Sequence, residues 1–217
     1  MKFYRSVINK YDRQARTYDR RWNRSFGGAL LQSAIDAVPW DRVQRVLDVG
    51  CGTGALESYV LQNGHPKVHI IGIDASFRML RQAQAKLQGN GNSPISLNNA
   101  LADNLPVRTA SMDAVVCANS FHYYLHPAAV LAEFRRVLKP GGVLVVADWC
   151  YDFLSCRIVE WGVRRIHQAG YRGYGLIHCQ GVDSLANLLT AAGFQVEISR
   201  NFEIDWGWGA MIHRSRA

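Results

Sequence analysis

The sequence contains no run of about 18 apolar residues, which argues against a transmembrane helix. Its first residues are basic, but no apolar core or small-residue cleavage site follows, so no secretory signal is expected. The five cysteines, Cys51, Cys117, Cys150, Cys156 and Cys179, are odd in number and form no CxxC pair. That pattern suggests neither a disulfide framework nor a structural zinc site. A cysteine inside an apolar stretch, such as Cys117, usually serves as a small core residue. Internal repeats and low-complexity tracts are also missing. These absences together fit a cytoplasmic protein.

What remains is ordinary globular material. The 217 residues are 48% hydrophobic and 19% charged, which suits one continuous core and a single domain over 1–217. The net charge of +8 is uneven. Residues 1–24 hold eight basic groups (Lys2, Arg5, Lys10, Arg13, Arg16, Arg20, Arg21 and Arg24) against Asp12 and Asp19, so most of the excess sits in one arm. No nucleic-acid face is expected on the main domain. Within the arm, Tyr4, Ile8, Tyr11, Ala15, Tyr18, Trp22 and Phe26 recur in steps of three and four, which predicts a helix with one apolar stripe. Such a helix covers the domain, or alternatively makes a peripheral membrane contact through its basic side.

From residue 43 the pattern changes. Short β-branched runs at 43–49, 68–74, 95–100, 113–118, 143–148 and 194–199 predict strands, with a seventh near 206–213. Helical stretches fall between them, at 29–38, 55–62, 76–87, 127–138 and 182–192, with loops at Asn63-Gly64 and 89–94 and a turn at Lys139-Pro140-Gly141-Gly142. Strands alternating with helices imply a doubly wound, Rossmann-like α/β fold with a seven-stranded, mostly parallel sheet and helices on both faces. The near-continuous apolar runs at 114–118 and 143–147 agree, because such strands are covered on both sides. The expected organisation is a helical cover (1–40), a ligand-binding core (43–148), a substrate lid (149–181) and a C-terminal helix with the last strands (182–217).

The most informative stretch is Asp48-Val49-Gly50-Cys51-Gly52-Thr53-Gly54, between a strand and a helix. Glycines there let the chain turn sharply and let a ligand approach the backbone at the carboxyl ends of the strands. Asp74 closes the next strand, where a carboxylate can accept both hydroxyls of a ribose. The spacing is GxGxG rather than the dinucleotide GxGxxG. Asp48, two residues before the first glycine, would repel a pyrophosphate but suit a ligand carrying an ammonium and a sulfonium.

These residues resemble a known family. VLDVGCGTG is similar to motif I of the class I S-adenosylmethionine (SAM)-dependent methyltransferases, and IGIDAS to their second motif. ALADNLPV, DAVVCANSFHYYLHP and FRRVLKPGGVLVVADW resemble the third, fourth and fifth. The likeness lies in the small-molecule branch that includes the ubiquinone and menaquinone C-methyltransferases. It implies SAM as cofactor, with S-adenosylhomocysteine as product. It also implies that Gly50, Cys51, Gly52 and Gly54 run along the methionine and ribose, and that Asp48 lies near the amino group. Asp74 with Ala75 would hold the ribose, Ala102, Asp103 and Leu105 would meet the adenine, and Asn119 would flank the methionine. Tyr11 and Tyr18 resemble the part of the N-terminal helix that closes over the cofactor in the quinone branch.

Methyl transfer from a sulfonium is an in-line displacement that needs alignment and exclusion of water. It needs no metal, and none is expected. A general base is required only where the acceptor must lose a proton, and His122 and Tyr123, with Tyr124 and His126, stand where the family's acceptors meet the sulfonium. The Asn/Asp-Pro-Pro-Tyr of nucleobase and glutamine amino-methylases is replaced by Asn119-Ser120-Phe121-His122, which disfavours that chemistry. In 149–181, Trp149, Tyr151, Phe153, Trp161, Tyr171 and Tyr174 are interleaved with Arg157, Arg164, Arg165 and Arg172, which suits a quinone-like or other aromatic, apolar acceptor, an acidic substrate, or ordinary packing on the sheet edge. Two alternatives stay open: a non-catalytic SAM-fold scaffold protein and an RNA methyltransferase.

Overall fold

The computed structural model describes residues 2–21, 26–63, 68–88, 94–170, 178–205 and 207–217. Trp22, Gly64, most of the 89–94 loop, Tyr171, Arg172, Tyr174 and Trp206 lie outside them, as does the side chain of Phe26.

The chain begins with α1 (Lys2–Gln14), a short 3-10 turn (Ala15–Thr17), α2 (Tyr18–Arg21) and α3 (Phe26–Ala37). There follow β1 (Arg45–Val49), α4 (Ala55–Gln62), β2 (His69–Asp74), α5 (Phe77–Leu87), β3 (Ile95–Asn99) and β4 (Met112–Ala118). A 3-10 turn (Phe121–Tyr123), α6 (Pro127–Val137), β5 (Leu138–Trp149), α7 (Leu154–Gln168), α8 (Val182–Ala191), β6 (Gln195–Asp205) and β7 (Trp208–Arg216) complete it.

The seven strands form one sheet in the order β3-β2-β1-β4-β5-β7-β6. The pairs from β3 to β5 are parallel, while β7 runs antiparallel to both β5 and β6. The order reverses between β1 and β4, and open α/β sheets bind ligands beside the carboxyl ends of the strands at such a switch point. Strand β1 shows why the sheet must be covered twice. Val46 contributes to a core shared with Leu30 and Leu56, while Leu47 and Val49 turn to the opposite face among Phe134 and Leu185.

Three expectations are adjusted. The predicted N-terminal helix over 3–26 is broken into α1, a 3-10 turn and α2. The predicted turn at 139–142 lies inside β5: between Met112↔Leu138 and Ala114↔Val143 the register shifts, so Lys139–Gly142 form a bulge that the strand resumes beyond. The last two strands are longer than their apolar runs, because β6 and β7 pair with each other from Gln195↔Arg216 to Asp205↔Trp208.

Candidate functional site

The glycine loop leaves β1 at the switch point. Gly50, Gly52 and Gly54 have φ of 82°, 56° and 75°, the left-handed region that disfavours any side chain. At Gly50 a Cβ would also stand 2.5 Å from Ser120 Oγ, so β4's exit turn can pack directly on the loop. The amides of Gly50 and Cys51 both donate to the Ile73 carbonyl, at 2.7 and 3.1 Å, tying the loop to the end of β2.

Asp74 ends that strand. One of its oxygens accepts the Gly52 amide (3.0 Å) and the other the Ser76 amide (2.7 Å). Burial raises its pKa to about 6, and the two amide bonds restrain the rise. Asp48 and Glu57 are buried nearby, at 5% and 0% exposure. Burial, and then Glu57 and Asp74 as like charges, push Asp48 well above the usual carboxylate range. Glu57 has neither oxygen hydrogen-bonded among the described residues, and burial lifts it to about 7. It can lie there because residue 72 is glycine: a Cβ would come within 2.4 Å of Glu57 Oε1.

Two cavities meet at Gly50. The larger, about 620 Å³, is lined among others by Asp48, Cys51, Thr53, Asn119 and Tyr18. That volume falls within the roughly 300–1,000 Å³ usual for small-molecule sites. The smaller, about 90 Å³, lies toward β3 and is bounded by Asp74, Ala75, Ala102, Tyr11, Tyr123 and Tyr124, with Tyr4 and Ile8 of α1. Helix α1 therefore turns its apolar stripe inward, over the site. It is pinned there by Ser76 Oγ donating to Asp12 (2.6 Å), by Tyr4 donating to Asp103 (3.3 Å) and by Lys10 and Tyr11 donating to Tyr123 Oη (2.8 and 3.0 Å). Asp19, next to α2's first residue, accepts Thr53 Oγ1 (2.6 Å) and pairs with Lys86 (2.7 Å).

On the other side of Gly50, β4 ends at Asn119, whose φ of 56° is rare for a residue with a side chain. Trp149 Nε1 donates to its Oδ1 at 2.6 Å. The turn that follows carries His122, 6% exposed, whose Nδ1 lies 2.7 Å from Asp148 Oδ1. Asp148 Oδ2 accepts the His122 amide (2.9 Å), so one carboxylate fixes both ring and backbone. Burial opposes the charged imidazole, yet Asp148 and Tyr123 outweigh it and His122 sits above its ordinary pKa. Tyr123 shows the reverse balance: burial raises it, but His122 and Lys10 together bring it below 10.

The sequence-predicted residues thus fall into two groups. Asp48, Gly50, Cys51, Asn119 and Tyr18 line the larger cavity, and Asp74, Ala75, Ala102, Tyr11 and Tyr123 the smaller. Gly52 and Gly54 shape the loop, Asp103 holds Tyr4, and His122 lines neither cavity. Sequence reasoning missed Asp148, Glu57, Asp12, Asp19 and Lys86. Only Asp148 left a signal, as an acid closing an otherwise apolar strand. Among the described residues no group of His, Cys, Asp and Glu is arranged to hold a metal, and no helix is long and apolar enough to cross a membrane.

The comparisons with known proteins agree with this geometry. A family model described as a methyltransferase domain matches residues 47–146. The demethylmenaquinone methyltransferase of Deinococcus radiodurans is 35% identical over 148 residues, covering 67% of this chain and 58% of that protein. A ubiquinone/menaquinone biosynthesis C-methyltransferase of Syntrophotalea carbinolica is 32% identical over 131 residues, 60% of this chain and 51% of that one. The chain spans about half the length of the curated relatives it matches. Among solved structures, the 1,6-didemethyltoxoflavin-N1-methyltransferase of Burkholderia thailandensis, with its substrate and S-adenosylhomocysteine bound, superposes with a TM-score of 0.76 at 17% identity. The match covers 99% of this chain and 88% of that one, and shows the shared fold.

Proposed function

Because residues 47–146 form a methyltransferase domain of the class I, SAM-dependent kind, we propose that the protein transfers a methyl group from SAM to a small-molecule acceptor. The observation that carries this reading is the pair of cavities meeting at Gly50, with an acid on each side, the buried Asp48 and the half-buried Asp74. The residues present fit the cofactor. The loop offers left-handed glycines with backbone open to a ligand, and the buried acids around it suit a group that carries positive charge. Asp48, with Cys51 and Asn119, would hold the amino-acid end. Asp74 and Ala75 would hold the ribose, and Ala102 with Asp103 the base. Bound there, SAM supplies an electrophilic methyl on a sulfonium.

The chain's own work is alignment, exclusion of water and, where the acceptor is acidic, removal of a proton. Tyr11, Tyr18 and Ile8 shield the cofactor side from solvent. Asp148, accepting from Nδ1, holds His122 in the tautomer whose Nε2 is the base. Tyr123, tilted 49° to the His122 ring with the two centres 4.1 Å apart, links the base to Lys10 and the arm. The aromatic surroundings of Trp149 and Tyr124 favour a flat, apolar acceptor of the quinone kind over an RNA, since the basic excess is confined to residues 1–24, whose apolar stripe faces the smaller cavity.

Isothermal titration with SAM and with S-adenosylhomocysteine tests the reading. Micromolar binding of both, lost in Asp74→Ala, is expected. No binding of either would leave a scaffold role for the fold.

A further inference from the structure

Helix α7 has an outer face that nothing among the described residues covers. Leu154, Ile158 and Trp161, spaced i, i+4 and i+7, stand on one side of it at 68%, 58% and 61% exposure. Large apolar side chains in one line at that exposure mark a contact surface rather than ordinary surface composition. The inner side is committed. Ser155 donates to the Gly207 carbonyl (2.7 Å), Cys156 to that of Gly209 (3.4 Å), and Glu160 accepts the Cys179 amide (3.0 Å). The helix is therefore fixed to β7 and cannot roll its stripe inward.

Along α7 itself the exposed charge is of one sign. Arg157 lies over the Tyr151 ring and Arg165 over the Trp161 ring, each 5.5 Å from the ring centre. Arg164 pairs with Glu160 (2.7 Å), the helix's one acid, which is itself buried. The exposed face thus joins protruding aliphatic side chains, a tryptophan and arginines with no exposed acid between them. That combination is the composition of a helix lying in a lipid headgroup layer, with the apolar stripe sunk toward the acyl chains and the arginines among phosphates.

The geometry points to α7 as a peripheral docking surface for an anionic phospholipid bilayer. This role goes beyond methyl transfer and does not depend on it. It differs from the contact expected of the basic arm, because the apolar stripe of α1 is already used to cover the site. Beyond α7, the His178 amide donates to the His122 carbonyl (2.7 Å).

Co-sedimentation of the full chain with vesicles tests this, using phosphatidylcholine alone and phosphatidylcholine mixed with phosphatidylglycerol. Binding to the mixed vesicles only is expected. The triple variant Leu154→Ser, Ile158→Ser, Trp161→Ser should lower partitioning by roughly tenfold or more, with a melting curve like the parent's because all three side chains are exposed. Arg157→Gln with Arg165→Gln should weaken the preference for the anionic lipid, and so should added salt. Arg5→Gln with Arg16→Gln, on α1 and the 3-10 turn after it, should leave partitioning within about twofold. The proposal is overturned if the triple variant partitions like the parent, or if the α1 variant loses binding equally. It is also overturned if the parent ignores vesicles but self-associates in sedimentation equilibrium and the triple variant does not, which would make α7 an interface between copies.

Discussion

On the β1–β2 side of Gly50, two carboxylates, Asp48 and Glu57, are buried and a third, Asp74, is half-buried, with few or no cationic partners, and a helix from the N-terminus closes over them. On the β4–β5 side, one buried carboxylate, Asp148, is matched to a histidine, and the neighbouring helix leaves its apolar face open. The first arrangement is costly in isolation, since a buried acid without a countercharge loses solvation and gains nothing back. It makes sense where a cationic ligand is to be bound. The second is self-contained and has no need of a ligand's charge, which suits a proton-handling group whose ionisation must be set before the acceptor arrives. Under the proposed function, the two sides would separate holding from reacting.

The largest expected effect tests whether that separation holds. His122→Ala should lower kcat with an acceptor that must lose a proton by about a hundredfold or more, the range for a positioned general base. Asp148→Asn should approach the same loss and shift the pH profile, since Asp148 acts through the imidazole. Both should leave the SAM dissociation constant unchanged by calorimetry. A loss of SAM affinity in either variant would merge the two sides into one.

Next comes the holding side. Asp74→Asn should weaken SAM by about 2 kcal/mol, because ribose hydroxyls would lose a charged acceptor. With its pKa near 6, Asp74 is largely ionised at neutral pH and becomes protonated on acidification. SAM affinity in the parent should accordingly fall as pH drops from about 8 to about 5 and the carboxylate is neutralised. A flat profile would mean that the carboxylate does not meet the ribose.

What could be read beforehand follows the range of the interactions. The glycine loop and Asp74 were legible because strand, turn and acid are local patterns with fixed spacing. The doubly wound sheet was legible for the same reason, through its alternating periods. Glu57 was not, since nothing in Ala-Leu-Glu-Ser-Tyr says that the acid faces Gly72 rather than solvent. The attachment of Asp12 to Ser76 joins residues 64 positions apart, beyond any local pattern. Helices α1 and α7 are the sharpest case. The sequence reads α1 as a basic amphipathic helix and 149–181 only as an aromatic- and arginine-rich lid, and periodicity gives a stripe without saying which way it faces. Only packing shows that α1 spends its stripe on the site while α7 does not.

Glu57 gives a smaller effect with a definite sign. Its folded pKa, near 7, lies above the ordinary 4.5, so the folded state keeps a proton that the unfolded chain releases. This contribution favours folding fully below about pH 4 and is lost as pH rises through about 7. Glu57→Gln removes the charge but leaves a buried amide with unmet hydrogen bonds, so the gain at about pH 8 should be only about 1 kcal/mol. It should shrink toward zero at about pH 5. Thermal melts at the two pH values measure it, and a variant less stable than the parent at the higher pH would show that Glu57 is ionised and paired.

The weakest effects should come from the arm's own fastenings, and their order is informative. Ser76 caps α5 by accepting the Met79 amide (3.1 Å) and is 1% exposed, so its bond to Asp12 is shielded from water. The Lys86–Asp19 pair is partly solvated, with side chains 33% and 45% exposed. Asp12→Ala should therefore loosen α1 by about 1 kcal/mol, whereas Lys86→Gln should cost no more than about 0.5 kcal/mol and still less in high salt. Hydrogen exchange at the α1 amides reads both. If Lys86→Gln opened α1 more than Asp12→Ala, the arm would be held by charge at α2 rather than by the cap of α5. The cofactor side would then close by a salt-sensitive latch.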